Sequence, residues 1–413
     1  MIYWMIISIV VLEMIYELTL SRLNINASKR EVPAVLRGLY DDEAYARQQS
    51  YFRANRRVGL VSTLVATLFT LLVFALGGLG WLDSLVRSLT DSPVLQALAF
   101  FAVLGTASWL ISLPIDIYDT FVIEERYGFN KTTLRLYIAD TLKSLGLTIL
   151  LGGGLLALVV WIYGFSPQWF WLIAWGVTAL ISTVLQYFYS VLLVPIFNKQ
   201  TPLPEGELRD AIERFAQSVD FRLKNIYVID GSKRSTHSNA YFTGFGRQKR
   251  VVLYDTLIEQ LTTDEIVGVL AHEIGHYKHH HIVVSMVEGL VTSLVTFILL
   301  GLCLDSHELA AAAGSQMPTF HVNVVIFSLL YTPLNILLGI VTNMRSRHNE
   351  RQADHYALAH GVGPAEASAL KKMSAKSLAN LTPHPVVVFT SYSHPTLAER
   401  VTTLSAAIPD ARQ

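Results

Sequence analysis

Cysteine is all but missing. Cys303 stands alone among 413 residues, so no intramolecular disulfide can form and a thiolate metal cluster is excluded. Any metal here must be held by histidine and carboxylate. Charge is scarce as well: 15% of residues are charged and 52% apolar, where soluble domains usually carry about 25% charged. Neither sign dominates, since 32 basic residues balance 32 acidic ones. That argues against nucleic acid as a partner, which calls for a basic surplus. A lipid bilayer is the partner this composition suits.

Lys and Arg are absent from seven stretches that are long enough, or nearly so, to cross a hydrocarbon core of ~30 Å. They lie near 1–20, 58–82, 95–118, 144–163, 170–197, 282–303 and 321–343. The first has no basic residues ahead of it and no small-residue cleavage site, so it reads as a retained anchor. Basic residues crowd alternate connections. Loop 21–57 holds Arg22, Lys29, Arg30, Arg37, Arg47, Arg53, Arg56 and Arg57, and loop 119–143 holds Arg126, Lys131, Arg135 and Lys143. The intervening loops 83–94, 164–169 and 304–320 contain only Arg87. By the positive-inside rule the N-terminus faces out and the C-terminus faces the cytosol. The chain thus divides into five spans with their loops (1–197), a cytosolic segment (198–281), a helical hairpin in the membrane (282–343) and a cytosolic tail (344–413). Glu13 and Glu288 sit inside spans, where a carboxylate must face protein or a water-filled cavity. Glu17 and Asp119, nearer the ends, either do the same or reach the interface.

The segment 198–281 mixes strand and helix patterns. A helix is expected from Pro204, a strand over Asn225–Asp230, and a hairpin of Asn239–Phe245 with Arg250–Tyr254 across Gly246-Arg247-Gln248-Lys249. Thr262-Thr263-Asp264-Glu265 forms a capping box ahead of Ile266–Leu270, so a helix starts near 263 and carries on to about 280. Prolines 383, 385 and 395 predict irregular structure near the C-terminus.

On the capped helix lies His272-Glu273-Ile274-Gly275-His276. Residues four apart share a helix face, so both imidazoles can reach one metal while Glu273 projects toward a water as general base. A catalytic zinc needs a third protein ligand and an open fourth position. His280 continues the face, but about 12 Å from His272 along the axis. His279, His280 and His281 therefore read as an interfacial helix end. Glu350 is the candidate instead, because His276 precedes the sixth span, Glu350 follows the seventh, and a helical hairpin returns the chain to the face it left. Asp354, one turn on, could accept the second N–H of a ligand imidazole. The alternative for both acids is a solvated charged face.

Beyond the zinc motif, the sequence resembles the integral-membrane CAAX prenyl protease family, the a-factor-converting type of zinc metallopeptidase. The likeness rests on Glu125-Arg126-Tyr127-Gly128-Phe129-Asn130, Pro195-Ile196-Phe197-Asn198, Arg234-Ser235-Thr236-His237-Ser238-Asn239-Ala240-Tyr241, Ser346-Arg347 with Glu350, Gln352-Ala353-Asp354 and Ser393-His394-Pro395. It implies seven helices around a water-filled chamber, with the zinc site facing in from the cytosolic side. It also implies that Asn239, Ala240 and Tyr241 form an edge strand to which substrate adds as a further strand. His394 is implied near the site, either assisting the reaction or ordering the C-terminal segment. Asn349, Arg351 and Tyr277 depart from the family pattern at wall positions and touch no ligand.

The expectation is an all-α integral membrane protein, seven transmembrane helices around an internal chamber, with a small cytosolic α+β zinc metallopeptidase domain. It would bind one Zn2+ per chain and cut peptide or protein substrates, prenylated CAAX C-termini or other membrane-associated peptides. Its membrane would be the bacterial inner membrane or the endoplasmic reticulum. A membrane-protein quality-control protease without prenyl specificity is the alternative. A transporter would show corresponding broken spans in two halves, and the sequence has no such symmetry. A zinc-stabilised scaffold would close its site with a fourth ligand, and none is obvious.

Overall fold

Apolar runs of this length dictate helix, because a backbone crossing hydrocarbon must satisfy its own N–H and C=O groups. The computed structural model describes residues 1–221, 223, 225–243 and 250–406. Seven of its helices are long and apolar enough to cross a membrane. They are α1 (Ile2–Ala27), α2 (Asp42–Ala75), α3 (Pro93–Glu124), α4 (Leu134–Phe165) and α5 (Pro167–Phe197), then α7 (His281–Cys303) and α8 (Phe320–Ala359). Helix α6 (Thr263–Lys278) lies between the fifth and sixth spans. The end of the second span differs from expectation. Helix α2 stops at Ala75 rather than 82, because Gly77 takes a left-handed φ of 66° and a new helix, Gly78–Leu89, sets off from it.

The spans form a closed circuit. Each packs on the next, α1 through α5, then α5 on α7, α7 on α8, and α8 back on α1. The wall is one helix thick, since no more than 17% of any span's most apolar window is buried. The circuit encloses an internal chamber. Near one mouth, Asp83 of the helix Gly78–Leu89 is fully buried and accepts hydrogen bonds from His321 Nε2 (2.9 Å), Ser315 Oγ (2.8 Å) and Thr319 Oγ1 (3.1 Å). The sixth span lies where expected, but the end of the seventh shifts. Helix α8 runs on past 343 for a total of 40 residues, about 60 Å and twice the hydrocarbon thickness. It therefore carries Glu350 and Asp354 rigidly beyond the membrane.

A four-stranded sheet lies between α5 and α6, in the order β1 (Gln200–Pro202), β2 (Asn225–Ile229), β4 (Arg250–Tyr254), β3 (Ala240–Thr243). Strands β2 and β4 are parallel, the other pairs antiparallel. Strands β3 and β4 are the expected pair, while the turn Gly246-Arg247-Gln248-Lys249 lies outside the described residues. Strand β1 was not anticipated; Pro202 is tolerated because the strand is an edge. The helix expected from Pro204 begins at Glu207, and Pro385 opens a short helix, Pro385–Ser391, instead of irregular chain. Ile212, Ile226, Leu253, Leu257, Ile266, Leu270 and Ile274 fill the core between sheet and α6.

Three contacts lock this unit to the ring. Arg234 donates to both carboxylate oxygens of Asp140 on α4 (2.7 and 3.0 Å) and to the Phe197 carbonyl at the end of α5 (2.8 Å). Asn130 bridges to Ser235, and Phe129 stacks on His237. Helix α6 itself starts on the expected capping box: Thr262 Oγ1 accepts from Glu265 N–H, and Glu265 Oε2 accepts from Thr262 N–H.

Two glycines on one face of α6 set its depth. A Cβ on Gly275 would lie 3.0 Å from the Ala353 Cα of α8, and one on Gly268 would lie 2.6 Å from the Glu366 backbone nitrogen of α9 (Gly363–Lys376). Gly268→Ala must therefore push α6 and α9 apart, against backbone rather than a movable side chain. Overpacking of this kind costs about 1–3 kcal/mol, so a lowered unfolding temperature and reduced metal content are expected; wild-type values for both would show that the interface has slack.

Candidate metal and catalytic centre

Helix spacing brings the first two donors together, and the hairpin of α7 and α8 brings the third. His272 Nε2 and His276 Nε2 are 3.1 Å apart, and the Glu350 carboxylate lies 3.4 Å from the first and 3.3 Å from the second. Donors held about 2.0–2.2 Å from a tetrahedral ion stand roughly 3.3–3.6 Å from each other. The triangle thus has the dimensions of a tetrahedral face. Glu350 Oε2 is buried without a hydrogen-bond partner, as an oxygen meant for a cation would be. Four acids, Glu273, Glu350, Asp354 and Glu366, surround the site, and among the described residues Arg400 is the fixed cation set against them. Geometry, donor chemistry and charge all fit a divalent metal.

The outer nitrogen of each imidazole is engaged as well. His272 Nδ1 lies 2.9 Å from Asp354 Oδ1 and 3.1 Å from Glu366 Oε1. Both acids are held by Arg400 of α10 (Leu397–Leu404), which reaches the two Asp354 oxygens at 2.6 and 2.9 Å and Glu366 at 3.1 Å. Burial opposes a charge on this guanidinium, but Asp354, Glu366 and Glu350 outweigh it and hold its pKa above the ordinary value. Burial pushes the Glu366 carboxyl up to about 7, with the neighbouring Asp354 charge adding to the rise. His276 Nδ1 bonds to His281, which corrects the expectation for that residue: His281 is buried beside the site, whereas His279 and His280 remain exposed.

Glu273 projects from α6 to one side of the two histidines. Burial raises its carboxyl pKa, an effect partly offset by the His272 and His276 imidazoles. It borders a small apolar pocket with Ala240, Tyr241, Val251, Leu253 and Val269, so it faces β3, the outer strand of the sheet. Ala240 and Tyr241 thus lie on the edge strand beside Glu273, and Asn239 directly precedes that strand. His394 stands across the site, its Nε2 3.4 Å from Glu350 Oε1 and its Nδ1 2.8 Å from Ser393 Oγ. The segment before it is pinned by buried Arg347, which donates to the carbonyls of Val388, Phe389 and Tyr392. Of the residues singled out in the sequence, His272, His276, Glu350, Asp354 and His394 meet here, with Glu273 beside Ala240 and Tyr241. Arg400 and Glu366 were not among them, and His281 and Gln352 were named without a role at the metal site.

Two family models match almost end to end: "CAAX prenyl protease N-terminal, five membrane helices" over residues 22–199 and "Peptidase family M48" over 202–408. The chain is similar to CAAX prenyl protease 1 of Saccharomyces cerevisiae, with 37% identity covering 91% of this chain and 89% of that one. It is similar to the CAAX prenyl protease 1 homolog of Oryza sativa, with 36% identity over 91% and 90%. Its fold matches the crystal structure of S. mikatae Ste24p with a TM-score of 0.93 at 32% identity, covering 98% of this chain and 99% of that one. A ring of membrane helices, a His-Glu-x-x-His helix completed from a second helix, and likeness along nearly the whole chain lead to one conclusion: this is a multi-pass integral membrane metallopeptidase, and it belongs to peptidase family M48.

Proposed function

We propose that this protein is a zinc endopeptidase whose centre faces the cytosol and whose substrates are CAAX-type C-termini carrying a prenyl group. The donor triangle of His272, His276 and Glu350 carries the zinc assignment, because His and carboxylate at 3.1–3.4 Å suit that ion. Basic loops on one side of the ring support an outside N-terminus. The relatives' names supply the substrate class. On this view residues 1–197 and 282–343 make the chamber, while 198–281 and 344–413 make the peptidase.

Zinc held by those three side chains would supply Lewis acidity toward water and the scissile carbonyl. The rest is done by the chain. Strand β3, through Ala240 and Tyr241, and Asn239 just before it offer an edge on which an extended substrate lies, fixing its backbone across α6. A Glu273 carboxylate oxygen takes the proton of the attacking water and passes it to the leaving amine nitrogen; burial suits it to both duties by raising its affinity for the proton. His394 Nε2 points into the same space and donates to the carbonyl oxygen as it gains charge; losing such a donor costs about 10²–10³ in rate. Asp354 holds His272 with Nδ1 protonated and Nε2 free for the metal.

The test is cleavage of a farnesylated CAAX peptide and its unprenylated twin by detergent-purified protein. Preferential cutting of the farnesylated peptide is expected. Equal cutting of both would remove the prenyl requirement and favour proteolysis of membrane proteins generally; no cutting of either by zinc-loaded protein would overturn the CAAX assignment.

A further inference from the structure

His276 and His281 are five residues apart, and on one continuous helix they would point about 140° away from each other. They meet because the helix breaks. Helix α6 ends at Lys278, and His280 adopts a left-handed φ of 57°, a conformation that residues other than glycine rarely adopt. The first residue of α7 is thereby folded back toward the metal site. His281 Nδ1 lies 2.9 Å from His276 Nδ1, and His281 Nε2 lies 2.9 Å from Gln352 Oε1 on α8. His281 is only 6% exposed, so water cannot readily replace either bond.

We infer that His281 and Gln352 are positioning residues that prepare His276 for the metal by fixing its tautomer. This rests on the reading of His272, His276 and Glu350 as the zinc-holding set. An amide oxygen only accepts hydrogen bonds, so His281 carries its proton on Nε2 and gives it to Gln352. Its Nδ1 is then an acceptor, and the proton between the two rings belongs to His276 Nδ1. The His276 Nε2 lone pair is left facing His272 and Glu350. Turning the Gln352 amide over reverses every donor in the chain and places a proton on His276 Nε2, where no metal can bind. Only one direction of this relay permits ligation. The two imidazoles are thus prepared by different means: His272 by the carboxylates around Arg400, and His276 by a neutral chain running into the seam between two membrane helices.

The experiment uses full-length protein in detergent. Zinc affinity is measured by chelator competition, together with the visible spectrum of the cobalt-substituted protein, for wild type, His281→Phe, His281→Gln and Gln352→Leu. His281→Phe is expected to weaken zinc binding about 10–100-fold, the usual loss when an imidazole's outer partner is removed, and to shift the cobalt bands. His281→Gln keeps an amide oxygen that can accept from His276 Nδ1 and should stay close to wild type. Gln352→Leu frees His281 to take either tautomer and should fall between. A His281→Phe variant that binds zinc like wild type, or a His281→Gln variant as weak as Phe, overturns the relay. Should His281→Phe fail to fold, Gln352→Leu decides: unchanged affinity and spectrum would overturn it equally. Wild-type protein that took up no zinc would overturn the zinc reading itself, and the relay with it.

Discussion

Glu273→Gln will leave the chain folded and zinc-loaded while removing nearly all peptide hydrolysis. Gln has the shape of Glu but cannot take a proton from water at neutral pH, so the loss is that of general-base catalysis, about 10²–10⁴ in kcat. Metal uptake should survive, because the donor triangle is made by His272, His276 and Glu350 without this carboxylate. Stability should survive as well. Glu273 accepts no hydrogen bond from the described residues, and burial works against its charge; a neutral amide of the same size removes that cost. The measurement pairs initial rates on a farnesylated CAAX peptide with zinc per chain and the unfolding temperature. Substantial turnover in this variant would sink the role given to Glu273. Lost zinc would show instead that the carboxylate belongs to the metal site.

Much of this architecture can be read from the chain because it depends on local pattern. Runs without Lys or Arg mark the spans, although the second run extends to 82, past the glycines at 77 and 78 where α2 has already ended. Thr262 with Glu265 announces the helix that carries His272 and His276. Glu350 is far from them in sequence, yet membrane topology alone returns it to the same face. The groups that were missed have no such signature. Glu366 follows Pro364 in the first turn of a helix, where an acid usually reads as an ordinary partner of the helix dipole; its burial comes from the helices packed over it, α6 and α10 among them. Arg400 sits in Leu397-Ala398-Glu399-Arg400-Val401, an amphipathic stretch in which an arginine looks solvated. His281 is hidden in a run of three histidines. Nothing in that run reveals that His280 will turn left-handed, since histidine has no need to do so. These positions are fixed by tertiary packing, which no spacing rule reports.

Arg400→Met should be the most damaging substitution outside the donor set itself. Arg400 is almost fully enclosed, and its guanidinium lies 2.6 and 2.9 Å from Asp354, 3.1 Å from Glu366 and 3.7 Å from Glu350. Methionine fills much of the same volume but leaves these acids without their fixed cation. Breaking a buried ion pair from one side costs about 3–5 kcal/mol, chiefly because the remaining charge is left uncompensated. Glu366, whose pKa already stands at about 7, can relieve part of that cost by taking a proton. Asp354 cannot be relieved so simply, because its two oxygens lose a bidentate partner while one still accepts from His272 Nδ1. The expected result is a marked fall in unfolding temperature together with weaker zinc binding. Arg400→Lys restores charge without the planar fork and should recover stability more than zinc affinity. Adding Glu366→Gln to Arg400→Met removes one surplus acid and should regain part of the lost stability. If charge balance is what Arg400 provides, Arg400→Lys and the double variant must both be more stable than Arg400→Met. If Arg400→Met is instead as stable and as tight for zinc as wild type, the acids around His272 are neutralised by protons, and the guanidinium only fills space.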